Sequence, residues 1–138
     1  MNLFNDDLIK EYQEWKKANP NSFNWWSYVN LKADLQTALG FAKFFSPQLL
    51  EVDGCLILKD KYQKELLESW KEEFKDDKTS IEKMMNLYEV NDFFHINRNE
   101  NEDEDAQVQV LGEVLKHFWS MSFKQNFPKR NIAVHVFK

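Results

Sequence analysis

The chain holds one cysteine, Cys55, and it is the side chain best suited to covalent catalysis. A thiol becomes a nucleophile when a neighbouring base takes its proton, and the usual base is an imidazole held in place by a carboxylate. His135 lies in an alternating C-terminal run that pairs naturally beside Cys55, and Asp53 sits two residues before the thiol. Cys55, His135 and Asp53 therefore make the candidate set for a small hydrolase or transferase. The opposing reading is that a free cysteine behaves as a small buried hydrophobe, as most do. Access to the thiol separates the two.

Metal and cofactor chemistry find less support. His95, His117 and His135 stand about twenty residues apart, without the i, i+4 or His-x-Glu spacing of a metal-binding helix. A lone cysteine completes neither a zinc knuckle nor a redox pair. The acidic loop 97–105 carries five carboxylates but lacks the alternating acids, glycine and terminal glutamate of an EF-hand. No glycine-rich stretch precedes a helix as a phosphate-binding loop requires. The pairs Asp6-Asp7, Glu72-Glu73 and Asp76-Asp77 fall on exposed helix faces or ends, where carboxylates stay solvated rather than acting as acid and base. Neither a metal nor a cofactor is expected.

The charge pattern points to a protein partner. A formal net charge of −5 and a pI near 5.2 repel nucleic acid and anionic membrane and attract a basic surface. The N-terminal sequence lacks the basic and apolar regions of a signal peptide, and no apolar run approaches a membrane span, so the cytoplasm is the expected compartment. Aromatic residues make up 15% of the chain, and several stand as adjacent pairs, including Trp25-Trp26 and Phe44-Phe45. Neighbouring helical residues point about 100° apart, so such pairs either need a wide buried face or leave one ring in solvent. An exposed ring beside carboxylates suits an interface with a basic rim. Glu100, Glu102, Asp103 and Glu104, with Trp25 and Trp26, form the candidate binding set.

These residues need elements to hold them. The length and the ordinary balance of 43% hydrophobic and 30% charged residues match one compact domain, 1–138. Three glycines and three prolines favour long helices over many strands. Asn5 caps a helix carrying Leu8, Tyr12 and Trp15, which Asn19 and Pro20 end. A central helix follows over 24–45, with Leu31, Leu35, Ala38, Ala42 and Phe45 as its apolar stripe and Gly40 placed for close approach of a neighbour. Residues 49–58 read as two short strands about the Asp53-Gly54 turn, or as one strand bulged at Gly54. Asp60 caps a helix bearing Tyr62, Leu66, Trp70 and Phe74, and Thr79-Ser80-Ile81-Glu82 resembles a capping box for the next. A last helix carries Val108, Leu111, Leu115 and Phe118 and stops at Phe127-Pro128. The expected fold is α+β and predominantly helical, with about five helices around a small antiparallel sheet. That sheet is the hairpin near 49–58 joined by a C-terminal strand near 132–137.

The succession Phe41-Ala42-Lys43-Phe44-Phe45-Ser46-Pro47, then Leu50-Glu51-Val52-Asp53-Gly54-Cys55, followed by a helix into Phe127-Pro128 and an alternating C-terminal run, resembles small bacterial immunity-type proteins that neutralise polymorphic toxins. The resemblance implies a stoichiometric, acidic inhibitor of a cognate toxin domain and assigns no single residue a role. The leading expectation is a non-enzymatic cytoplasmic binding protein, monomer or homodimer, with a basic toxin domain as partner. The Cys55 enzyme and a structural or adaptor subunit remain the alternatives.

Overall fold

In the computed structural model, which describes residues 2–98 and 100–137, the first side-chain cap is the expected one: Asn5 accepts the backbone N–H of Asp7 at 2.9 Å. It opens a 3-10 turn, Asp6–Leu8, rather than the helix itself, and α1 (Lys10–Ala18) follows and ends at Asn19. Tyr12 on α1 is buried under Phe23 and Trp25, its ring stacked on Trp25 with centroids 3.7 Å apart.

The helix expected over 24–45 is two helices. Asn24 and Ser27 form a reciprocal capping box that starts α2 (Trp25–Lys32), and α3 (Leu35–Ala42) begins afresh. The break belongs to Asp34, whose carboxylate accepts from the Thr37 backbone N–H at 2.9 Å and from the Thr37 hydroxyl at 2.8 Å. An aspartate bonding the backbone three residues ahead favours a helix start over a helix interior. Six helices thus replace the expected five among the described residues. The pair is also peripheral, not central: every residue from 29 to 40 is exposed. A methyl group added at Gly40 would meet nothing within 4 Å, so this glycine serves no close approach.

β1 (Leu49–Val52) and β2 (Cys55–Leu58) form an antiparallel hairpin with Val52 opposite Cys55 and Leu50 opposite Ile57. Asp53 and Gly54 both have positive φ, 51° and 80°, as a two-residue type I′ turn requires, so the bulged alternative is not adopted. A hairpin alone is marginal in water and needs an apolar cover. α4 (Lys64–Glu73) and α5 (Lys78–Met85) supply it, joined by a tight turn in which Lys75 and Asp76 take left-handed backbone. Cys55, Ile57, Leu67, Ile81 and Met85 form the core, with Val52, Tyr62, Trp70 and Phe74 around it. Two expected caps shift. Asp60 lies in a 3-10 turn, Lys59–Lys61, and α4 starts after Gln63; α5 starts after Asp77, whose carboxylate accepts the Ser80 hydroxyl.

The outer edge of β2 was the expected seat of a C-terminal strand. It is occupied by side chains of α5 and the residue after it. Glu82 accepts the Leu56 N–H at 2.6 Å, while Asn86 accepts the Leu58 N–H at 2.8 Å and donates to the Leu56 carbonyl at 2.9 Å. The Asn86 amide pairs as a peptide group of a neighbouring strand would, which leaves those edge groups nothing to offer another strand. Residues 131–137 accordingly form no strand. The run still alternates: Ile132, Val134 and Val136 are half-buried, and Ala133, His135 and Phe137 are exposed. Its inward face lies on α6 (Glu104–Asn126), where Val136 crosses Gly112 so closely that a Cβ there would meet the valine methyl at 3.2 Å.

A second aromatic layer joins these parts. Phe41, Phe44 and Phe45 meet Tyr88, Phe93, Phe94 and Phe118, and Trp119 of α6 donates its indole N–H to the Phe44 carbonyl. Among the described residues no helix is long and apolar enough to cross a membrane.

Candidate partner-binding face

The three residues of the enzymatic reading are not brought together. Successive side chains of a strand point to opposite faces. Cys55 and Ile57 point into the α4–α5 core, and Leu56 and Leu58 line a groove of about 690 Å³ bounded by α5, α6 and residues 130–137. His135 lines that groove, across the sheet from the thiol. Asp53 gives its carboxylate to Lys71 at 3.2 Å. Among the described residues no hydrogen bond links Cys55, His135 and Asp53. The thiol is 2% exposed, and burial pushes its pKa up, with the Glu82 carboxylate adding to the effect. A protonated, enclosed thiol is a poor nucleophile. The native protein is therefore expected to resist an aromatic disulfide reagent at neutral pH and to release one equivalent of thiolate-reactive cysteine once unfolded in guanidinium. Rapid modification of the folded chain would contradict this geometry.

Among the described residues no group of three His, Cys, Asp or Glu side chains is placed to hold a metal ion. The acidic loop is instead tied to its own cations. Arg98 grips Glu104 with two hydrogen bonds of 2.8 and 3.2 Å and lies 3.4 Å from Glu100. Lys10 of α1 contacts Glu102 directly and Asp103 at 3.6 Å. Glu104 and Asp105 also occupy the first turn of α6, where the helix dipole favours negative charge. Asn99 of this loop lies outside the described residues.

The Lys10 contacts hold Glu102 and Asp103 against the start of α1. There the Trp25 indole N–H donates to Asp6 at 3.1 Å, so Trp25 is held between Tyr12 and the acidic turn. Trp26, next in sequence, is 76% exposed. The two tryptophans thus divide the work: one anchors α2, the other stands in solvent. Asp6, Asp7, Glu100, Glu102, Asp103, Glu104 and Asp105 make seven carboxylates against Lys10 and Arg98, an excess of five negative charges. Exposed ion pairs such as these contribute little to stability, but the excess charge sets a long-range field.

Nearby, Glu11 accepts the Tyr28 hydroxyl at 3.0 Å and meets Lys32 at 3.1 Å, which fixes α2 on α1. Burial, assisted by Glu11, pushes the Tyr28 phenol up to about 12. The α2 platform that carries Trp26 is therefore neutral at this hydroxyl throughout the physiological range.

Two features escaped the sequence. The edge-sealing pair Glu82 and Asn86 left a faint signal, two polar residues at i, i+4 beside the apolar Ile81 and Met85. The Asp34 cap left a clearer one in Asp34-Leu35-Gln36-Thr37. A scan against protein-family models finds no match, and comparisons with curated proteins and with solved structures find none either, so the reading of this face rests on its own residues.

Proposed function

We propose that the chain is a non-enzymatic protein-binding domain that acts in the cytoplasm, and that its partner is a basic toxin domain which it neutralises as an immunity protein. The observation that carries the binding role is Trp26: a large ring left 76% exposed on an anchored helix, next in sequence to Trp25, which donates to Asp6 of the acidic margin. Tryptophan is among the residues that most often dominate binding energy, and an excess of one sign of charge on the same protein speeds encounter with an oppositely charged partner. The toxin identity rests on the resemblance to immunity-type proteins and on this charge.

The test pairs the chain with the protein encoded by the adjacent gene. On this reading that protein is basic, arrests growth when produced alone, and forms a 1:1 complex with the chain that restores growth. Trp26→Ala should weaken the complex by about tenfold or more, as loss of an interface anchor does. Combined Glu100→Lys, Glu102→Lys and Asp103→Lys substitutions should slow association and flatten its dependence on salt. A harmless neighbour would overturn the toxin reading, and binding indifferent to both sets of substitutions would overturn the face.

A further inference from the structure

The apolar stripe of α3 faces solvent. Leu35, Ala38, Leu39 and Ala42 repeat at i, i+3, i+4 and i+7, the spacing of one helical face, yet all four are exposed, Leu35 at 76% and Leu39 at 64%. The helix is held to the rest of the chain through Phe41, which packs on Phe44, Phe45, Phe93 and Phe94 and lies off the stripe. Leu31, at the end of α2, is likewise 68% exposed. Side chains of this size left so exposed place in water an apolar patch within the roughly 300–600 Å² range of the largest patch a monomer carries. Two such patches face to face bury roughly 600–1,200 Å², the low end of interface sizes, where weak and reversible dimers fall.

The pattern of the stripe identifies what covers it. Reversed end to end, α3 complements itself: Leu35 falls opposite Ala42, and Ala38 opposite Leu39, so each large side chain meets a small one. The same reversal sets Asp34, just before the helix, against Lys43, just after it. These two are the nearest charges at either end, since α3 itself carries none, and neither has an ion pair among the described residues. A two-fold axis through the middle of α3 satisfies every one of these matches twice, as an isologous contact requires. We infer that α3 is a self-association surface, on which a second copy of this chain packs its own α3 antiparallel, leucine on alanine, with Asp34 of each copy beside Lys43 of the other.

Sedimentation equilibrium of the full chain from low to high micromolar concentration tests this. The wild type should fit a monomer–dimer equilibrium. Leu39→Glu, placed at the axis, should give only monomer with an unchanged helical circular dichroism spectrum, because the side chain is solvent-facing in the single copy. Lys43→Glu should raise the dimer Kd about tenfold at low salt, and high salt should erase that difference. A chain that stays monomeric at every concentration overturns the inference, as does a dimer that survives Leu39→Glu. A monomer whose complex with another protein is lost on Leu39→Glu would assign the face to that protein and overturn it equally.

Discussion

Ile57→Ala is expected to lower the unfolding free energy by roughly 2–5 kcal/mol, a large fraction of the ~5–15 kcal/mol available to a domain of ordinary stability. Ile57 has no exposed surface, stands opposite Leu50 in the hairpin, and packs in the cluster that unites β2 with α4 and α5 through Leu67, Ile81 and Met85. Removing its three outer carbons loses their transfer free energy and leaves a void that a rigid hairpin and two short helices cannot close. Leu39→Ala is the matched control: it deletes as many carbons from a side chain that is 64% exposed, and in dilute monomer it should shift stability by no more than about 0.5 kcal/mol. Urea titration followed by tryptophan fluorescence checks both. A loss below about 1 kcal/mol for Ile57→Ala would mean that the hairpin is not the structural centre of the molecule.

That centre was legible in the sequence because its determinants are local. Asp-Gly between two apolar runs specifies the type I′ turn, and the turn fixes Val52 opposite Cys55. The periodicity of α4, α5 and α6 likewise marks helices by pattern alone, although Asp60 and Thr79 yielded the cap positions to Gln63 and Asp77. Apolar spacing, by contrast, tells which residues share a face but not what covers that face. The stripe through Leu35 and Leu39 reads as the core of a central helix and is in fact solvent-facing, while the alternation of Ile132, Val134 and Val136 reads as a strand and packs on α6 instead. In both cases the period was right and the partner was wrong, because partners are chosen by contacts distant in sequence.

The candidate face divides the same way. The composition of the loop and the Trp25-Trp26 pair were visible, including the expectation that adjacent rings diverge. The long-range contacts, Lys10 to Glu102 and Trp25 to Asp6, were not, and they join the loop, the acidic turn and Trp25 into one margin, with the exposed Trp26 next in sequence. The proximity of Cys55 and His135 depended on the C-terminal run pairing with β2, so it fell with that pairing.

What prevents the pairing should itself be measurable. Asn86→Ala is expected to cost roughly 1–3 kcal/mol, since it removes both hydrogen bonds to the β2 edge and leaves the Leu56 carbonyl and the Leu58 N–H without partners in a partly buried site. Asn86→Asp separates the two bonds. The carboxylate still accepts from Leu58 but cannot donate to Leu56, and it brings like charge towards Glu82, which holds the Leu56 N–H one turn earlier on α5. It should therefore recover little of the loss at neutral pH and more in mild acid, where the protonated carboxyl donates again and the repulsion is relieved. Unsealing the edge has a second consequence, because a free strand edge invites another chain. Asn86→Ala should aggregate faster than Ile57→Ala at matched stability, with binding of an amyloid-reporting dye, if edge exposure rather than general unfolding drives assembly. Equal aggregation at equal stability would reduce Asn86 to an ordinary hydrogen bond, and an Asn86→Ala chain that melts with the wild type would show that the edge needs no seal.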